Sequence, residues 1–283
     1  MRIWPALELG SALDDLLQAA LIDHDIVAVD ETASDAPRVF FRSAAGRDRA
    51  AASLRNQFPR LALAGIDVPD DDWAKRSQAS LRSVRVGGIA VSPPWDVDRS
   101  HEVLRQQDPL GHGFSSALTI VIEPSMGFGT GHHATTRLCL AAMQTIDLRC
   151  RQVLDVGTGS GVLAIAASLL GAAGVVAVDD DADAIRSATQ NVSLNPAARV
   201  ELVMADLRMS DLSVTDVVLA NLTGGLLVRH ASRLTQLAAI GGRLILSGFT
   251  DSEEHNVLAA FESLAFERRA HEDEWVCVTL ART

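Results

Sequence analysis

Residues 153–161 read Val153-Leu154-Asp155-Val156-Gly157-Thr158-Gly159-Ser160-Gly161, and an uncharged, alanine-rich run follows them. A short β-branched segment entering three alternating glycines and then a helical pattern predicts a strand, a tight turn and a helix. Glycines at such a turn let the backbone fold sharply and let a ligand approach without a Cβ in the way. The spacing narrows the ligand. A dinucleotide turn is G-x-G-x-x-G, which puts its third glycine where this chain has Val162. Here the pattern is G-x-G-x-G, with Asp155 two residues upstream, a carboxylate that repels a pyrophosphate and welcomes an ammonium. A turn that merely packs is the bland alternative.

Working outward, β-branched or leucine-rich runs recur at 175–178, 200–203, 217–220, 243–247 and 276–280, most of them separated by helical stretches. That alternation predicts a wound, mostly parallel, Rossmann-like α/β sheet. Residues 161–178 carry no charge and approach the length of a membrane span, but Gly171 and Gly174 interrupt them, so a helix followed by a strand is expected, with no membrane association. The first seventy or so residues show a weaker βαββαβ rhythm, with strands near 2–8, 25–30, 38–42 and 61–66 and helices after Ser11 and over 46–58. This order predicts a small ferredoxin-like α+β domain. Residues 73–96 read as a connector ending in Ser92-Pro93-Pro94-Trp95, and 97–117 as an exposed polar loop.

Composition removes several function classes. With 25 lysines and arginines against 36 aspartates and glutamates, the chain of 283 residues carries a formal charge of −11. It is a poor generic binder of nucleic-acid backbones, and none is expected as a direct partner; basic proteins are expected instead. Three cysteines without close pairing argue against a disulfide framework and a zinc site, and for the cytoplasm. His101, His112, His132 and His133 match no metal-ligand spacing, so no metal is expected.

Three further features place polar groups at strand ends or helix starts. The strand at 175–178 ends in Asp179, where a carboxylate can accept hydrogen bonds from both ribose hydroxyls; Asp181 is a candidate cap for the next helix. Asp206 follows the next strand and is positioned to hold an adenine amino group. Asn221 ends the strand at 217–220, where α/β sheets carry their reacting groups. Its side-chain carbonyl is suited to take a hydrogen bond from an incoming amine and aim the lone pair at a methyl group; capping of the following helix is the alternative. Leu222-Thr223-Gly224 supplies no aromatic plate, which points to a flexible alkyl amine. Thr136, at the start of a helix expected over 134–146, is suited to bond the amino-acid end of the cofactor, or simply to cap. Together Asp155, Gly157, Gly159, Gly161, Asp179 and Asp206 describe a site for S-adenosyl-L-methionine.

The sequence resembles a known family. The loop Gly127-Phe128-Gly129-Thr130-Gly131 with Thr135-Thr136, the Asp155 glycine motif, Asp179, Asn221 and the ending Glu274-Trp275-Val276 resemble the PrmA type, methyltransferases of the ribosomal stalk-base protein, the eleventh of the large subunit. The resemblance covers nearly the whole chain, including Asp72-Trp73 and Pro93-Pro94-Trp95 of the connector. It implies a class I S-adenosylmethionine-dependent protein N-methyltransferase acting on lysine and/or N-terminal amines, with cofactor contacts at Thr136, Gly157, Asp179 and Asn221 and Asn221 as the catalytic residue. It also implies a substrate-recognition domain at 1–68, a connector and extended loop at 69–118 and a methyltransferase domain at 119–283. The chain departs from the family's Gly-Thr-Gly-Thr-His-Pro-Thr-Thr at His132 and Ala134, has Ser77 and Leu81 where the connector carries aromatics, and has a longer loop after Trp95. Another protein or a small amine as substrate, a non-catalytic cofactor-binding adaptor and an NAD oxidoreductase are the alternatives; Val162 and the lack of a hydride-acceptor motif disfavour the last.

Overall fold

The computed structural model describes residues 3–10, 17, 21, 24, 26–30, 37–69, 81–98, 118–124, 132–208 and 211–283. The expected helix after Ser11, apart from the helical, buried Leu17 and Leu21, most of the polar loop at 97–117, Asp72-Trp73 and the glycines of 127–131 lie outside them. The chain divides into two compact units, residues 1–81 and 82–283.

In the first unit, β1 (Ile3–Leu9), β2 (Ile26–Asp30), β3 (Arg38–Phe41) and β4 (Leu63–Pro69) form an antiparallel sheet ordered β2-β3-β1-β4. This is the strand order of a ferredoxin-like unit. Helix α1 (Ala44–Gln57) starts at Ser43, whose hydroxyl accepts from the Gly46 N–H at 3.1 Å. Alternation along β1 sends Leu7 and Leu9 toward Ala50, Ala51 and Leu54 of α1, and Trp4 and Ala6 to the other face with Phe40 and Val68.

The second unit opens with a small sheet, β5 (Val84–Val86), β6 (Ile89–Ser92) and β7 (Leu118–Val121), in which β6 and β7 run parallel. The sequence reading treats 84–92 as connector, whereas here these residues are strands of the second unit. Their apolar runs are too short to show a period, and pairing with a distant segment creates them.

The main sheet comprises β8 (Gln152–Val156), β9 (Gly174–Asp179), β10 (Glu201–Met204), β11 (Thr215–Asn221), β12 (Ala238–Thr250), β13 (Ala265–Glu272) and β14 (Trp275–Ala281). Their order is β10-β9-β8-β11-β12-β14-β13, parallel except for β14, which runs antiparallel to both β12 and β13. The helices are α2 (Ala134–Met143), α3 (Val162–Leu169), α4 (Ala182–Leu194), α5 (Gly224–Leu237) and α6 (Asp251–Ala260).

Strands covered on both faces need apolar residues at successive positions, and β8 shows it. Val153 packs with Leu138, Met143 and Leu163 of α2 and α3, while Leu154 and Val156 pack with Leu227 and Leu234 of α5 and Val257 of α6. The uncharged stretch at 161–178 is the helix α3 and the strand β9, and no helix among the described residues is long and apolar enough to cross a membrane. Strand order reverses between β8 and β11, so the crevice beyond their carboxyl ends is the topological switch point where open α/β sheets bind ligands.

Candidate active site

At the end of β8 the backbone takes positive φ at Gly157, Gly159 and Gly161, of 70°, 55° and 82°. The Gly157 and Thr158 N–H groups both donate to the Val178 carbonyl, at 2.9 and 3.0 Å, which ties the turn to β9. A Cβ on Gly157 would also press on the end of the Leu222 side chain, but it is the positive φ that calls for glycine here.

Asp179, at the end of β9, accepts from the Gly159 N–H at 2.9 Å and the Asp181 N–H at 3.1 Å. Asp181 caps α4 through the Asp183 N–H at 2.8 Å. Asp155 sits beneath the turn, 1% exposed, and accepts from the Thr158 hydroxyl at 2.7 Å. Burial pushes its carboxyl up to about 6, against the lowering effect of Thr158 and of a backbone N–H.

Two adjoining cavities open over this turn, sharing Gly157, Leu222 and Leu226. One, of about 210 Å³, lies between Asp179 and Asp180 at the end of β9, Asp206 and Leu207 after β10, and Arg229 and His230 of α5. The other, of about 270 Å³, is walled by Thr136 and His133 at the start of α2, Gly159 of the turn, Asn221 of β11, Gly248 of β12 and Trp275 of β14. Of the residues singled out in the sequence, Thr136, Gly157, Gly159, Asp179, Asp206 and Asn221 face this bipartite cleft, while Asp155 and Gly161 support it from behind.

The remaining polar groups differ in what already holds them. Both oxygens of Asp206 accept from the Arg208 guanidinium, at 3.0 and 2.6 Å, and this pairing holds the carboxyl down at about 2. It is therefore a charged acceptor shared with Arg208, not an open one. Thr136 is 1% exposed and is not the cap of α2, a role taken by His133. Asn221 does not cap α5, which begins after Thr223 without a side-chain cap bond. Its backbone pairs with Ser247 of β12, and its half-buried side-chain amide has no hydrogen-bond partner among the described residues.

The sequence reading undervalued two side chains in this cavity. Trp275 figures in the sequence only through the resemblance, and His133 only as a rejected metal ligand and as one residue of the glycine-rich stretch before α2. The structure sets their rings edge to face, with centroids 4.7 Å apart and planes at 67°. An aromatic wall therefore reaches the Asn221 cavity from β14, and the missing plate after Asn221 does not by itself describe the substrate. No group of three metal-ligating side chains occurs among the described residues. Cys139, Cys150 and Cys277 are free thiols.

A doubly wound sheet with one reversed strand, a glycine turn at its switch point and acidic groups on the neighbouring strand ends define a class I S-adenosylmethionine-dependent methyltransferase. The comparisons with known proteins specify the family. The model of the family "Ribosomal protein L11 methyltransferase (PrmA)" matches residues 24–283. A ribosomal protein L11 methyltransferase of Geobacter sp. (strain M21) is 40% identical over 223 residues, covering 76% of this chain and 68% of the relative. One from Myxococcus xanthus (strain DK1622) is 36% identical over 240 residues, covering 83% and 76%. The crystal structure of a ribosomal protein L11 methylase from Lactobacillus delbrueckii subsp. bulgaricus superposes with a TM-score of 0.62 at 25% identity, over 72% of this chain and all of that one. The chain belongs to the ribosomal protein L11 methyltransferase (PrmA) family, and it is an S-adenosylmethionine-dependent protein methyltransferase.

Proposed function

We propose that this enzyme methylates lysine and/or N-terminal amino groups of ribosomal protein L11 in the cytoplasm, with Asn221 as the residue that receives the amine. The observation carrying this reading is the uncommitted Asn221 amide inside the cavity that Thr136, Gly159 and Trp275 also wall. The names of the relatives supply the protein substrate. When bound, S-adenosylmethionine supplies a methyl group activated by its sulfonium. Glycine backbone at Gly157 and Gly159 in the cavity walls, and carboxylates on two neighbouring strand ends, fit such a ligand.

The two cavities divide the cofactor. Asp179 is placed for the ribose hydroxyls and Asp206 for the adenine edge, with Gly157 and Gly159 offering close backbone approach and Thr136 the amino-acid end. Asp155 acts on the cofactor through Thr158 and the turn, and Gly161 through the start of α3.

In-line displacement requires a neutral amine, whose nitrogen forms the new N–C bond as the S–C bond breaks; the amine's proton leaves to solvent. At pH 7 a lysine of ordinary pKa costs about 4.6 kcal/mol to deprotonate, and an α-amino group about 1.4 kcal/mol. Among the described residues walling the Asn221 cavity, the one titratable side chain is His133, whose Nδ1 already bonds the Thr135 hydroxyl at 2.8 Å. The site is thus built to desolvate and aim an amine more than to abstract its proton. The Asn221 carbonyl accepts from the amine's remaining N–H and orients the lone pair, beside the aromatic pair of Trp275 and His133.

Intact-mass spectrometry of purified L11 incubated with the enzyme and S-adenosylmethionine tests the proposal. Mass gain in whole-methyl steps, located by fragmentation to amines, is expected. An enzyme that binds cofactor yet leaves L11 unmodified has a different substrate.

A further inference from the structure

Helix α4 presents Ala188 and Asn191 on one face, and its C-cap residue Asn195 follows on the same side. Ala188 packs on the cofactor turn: a Cβ at Gly161 would lie 3.2 Å from the Ala188 Cβ. Asn191 is fully buried and uses both ends of its amide. Its Nδ2 donates to the Ser160 carbonyl of the turn at 2.8 Å, and its Oδ1 accepts from the Glu123 N–H at 2.9 Å. Asn195 accepts from the Val121 N–H at 2.9 Å and donates to the Val121 carbonyl at 2.7 Å, while also donating to the Asn191 carbonyl at 2.7 Å.

These bonds stand in for a missing strand. Among the described residues β7 pairs with β6 on one edge only. Leu118 and Ile122 send their N–H groups to Gly88 and Ser92 on that side, and Val121 and Glu123, out of phase with them, point theirs the other way. Buried backbone groups need partners, and two asparagine amides one helical turn apart supply them. Asn195 imitates a strand residue, since it answers both polar groups of Val121. Asn191 does something else: it joins the end of that segment to the turn carrying Gly157, Gly159 and Gly161.

We infer that Asn191 is a positioning residue that couples the cofactor turn to the segment 121–124, which leads in sequence to the second glycine-rich stretch and then to His133 and Thr136. This rests on the reading that the turn at 157–161 cradles the cofactor. A single amide spans the two backbones, so ordering of the turn by the cofactor is transmitted to Glu123. Asn191→Leu keeps the volume and removes both bonds. Asn191→Asp keeps the acceptor for Glu123 and sets an oxygen against the Ser160 carbonyl.

The test combines equilibrium binding of S-adenosylhomocysteine with amide hydrogen exchange of the full chain. In the wild type, adding S-adenosylhomocysteine is expected to slow exchange both at 157–161 and at 121–124. Asn191→Leu and Asn191→Asp are expected to weaken binding roughly tenfold and to leave 121–124 unprotected by ligand, whereas Asn195→Ala lowers Tm but changes affinity by less than about threefold. Protection confined to 157–161 in the wild type overturns the inference without any variant. So does an Asn191 variant with reduced Tm and unchanged affinity, or an Asn195→Ala variant as weak in binding as Asn191→Leu. A wild-type chain in which bound ligand leaves 157–161 unprotected instead overturns the placement of the cofactor.

Discussion

Asn221 ends β11 with a half-buried amide that no neighbour among the described residues satisfies. A half-buried polar group in a cleft is left to water until a ligand completes it, and under the proposed function that ligand is the amine to be methylated. Asn221→Ala is expected to lower kcat by about 10²–10³ through loss of alignment while changing the cofactor Kd by less than about threefold. Unchanged turnover would remove Asn221 from the reaction, and lost cofactor binding would make it a cofactor residue first. Asp155 makes a different contribution. Its folded carboxyl titrates near 6 because it is buried, above its ordinary value of 3.8. The folded state therefore binds its proton more tightly than the unfolded chain does. The stabilisation is complete below about pH 4 and is lost as pH rises through 6, an effect of about 3 kcal/mol. Asp155→Asn has no such titration. Urea unfolding from pH 4 to 7 should show the stability of the variant rising relative to the wild type over that window. A constant difference would mean that Asp155 is solvated or otherwise compensated.

Strand β12 shows how an element is shaped to serve the site. Its pairing with β14 shifts register between Ser247 and Phe249, and Gly248 within that bulge has a φ of 95°. A Cβ there would strike the backbone of Leu222, the residue after Asn221 and a wall of both cavities. Gly241 of the same strand also has a positive φ, of 80°, with nothing within 4 Å of an added Cβ. The two positions separate strain from displacement. Gly241→Ala should cost about 1–2 kcal/mol of stability and leave kcat alone, whereas Gly248→Ala should cost at least that and also lower kcat by about tenfold. Equal kinetics in the two variants would show that Leu222 yields without moving Asn221.

Legibility in the sequence also varied by element. The turn at 157–161, the capping of α4 by Asp181 and the strand ends at Asp179 and Asn221 were readable because each follows from local geometry and chemistry. Strand β13 was not, since six of its eight residues are exposed and Glu267, Arg268 and Arg269 break any apolar period; pairing with β14 creates it. Trp275 reaches the Asn221 cavity through that same strand pair, a long-range placement that no local pattern encodes.

At the scale of the molecule, charge is the property that acts over the longest distance. The chain carries −11, with 36 acidic side chains, several of them on strand ends beside the cleft at Asp179, Asp180 and Asp206. Asp206 is paired locally with Arg208 and Arg229 lines the same cavity, so the charge of Asp179 and Asp180 is partly offset at that end and the excess acidity belongs to the chain as a whole. A basic protein approaching such a surface gains in encounter rate, and the gain disappears when the Debye length shrinks from about 10 Å at 0.1 M salt to about 3 Å at 1 M. In the proposed reaction, by contrast, the seated amine lies in the cavity walled by Asn221, Thr136 and Trp275, where contacts are short-range and salt screens them little. The proposed substrate therefore predicts a split in the kinetics: kcat/KM for L11 falls about tenfold between 0.05 and 0.5 M salt, while kcat and the cofactor Kd stay within about twofold. Steady-state kinetics with L11 varied at saturating S-adenosylmethionine measure it directly. A kcat/KM indifferent to salt would mean that the charge of this chain serves solubility and that docking depends on shape and apolar contact. A kcat that fell in parallel would place the salt-sensitive step after binding, at the site itself.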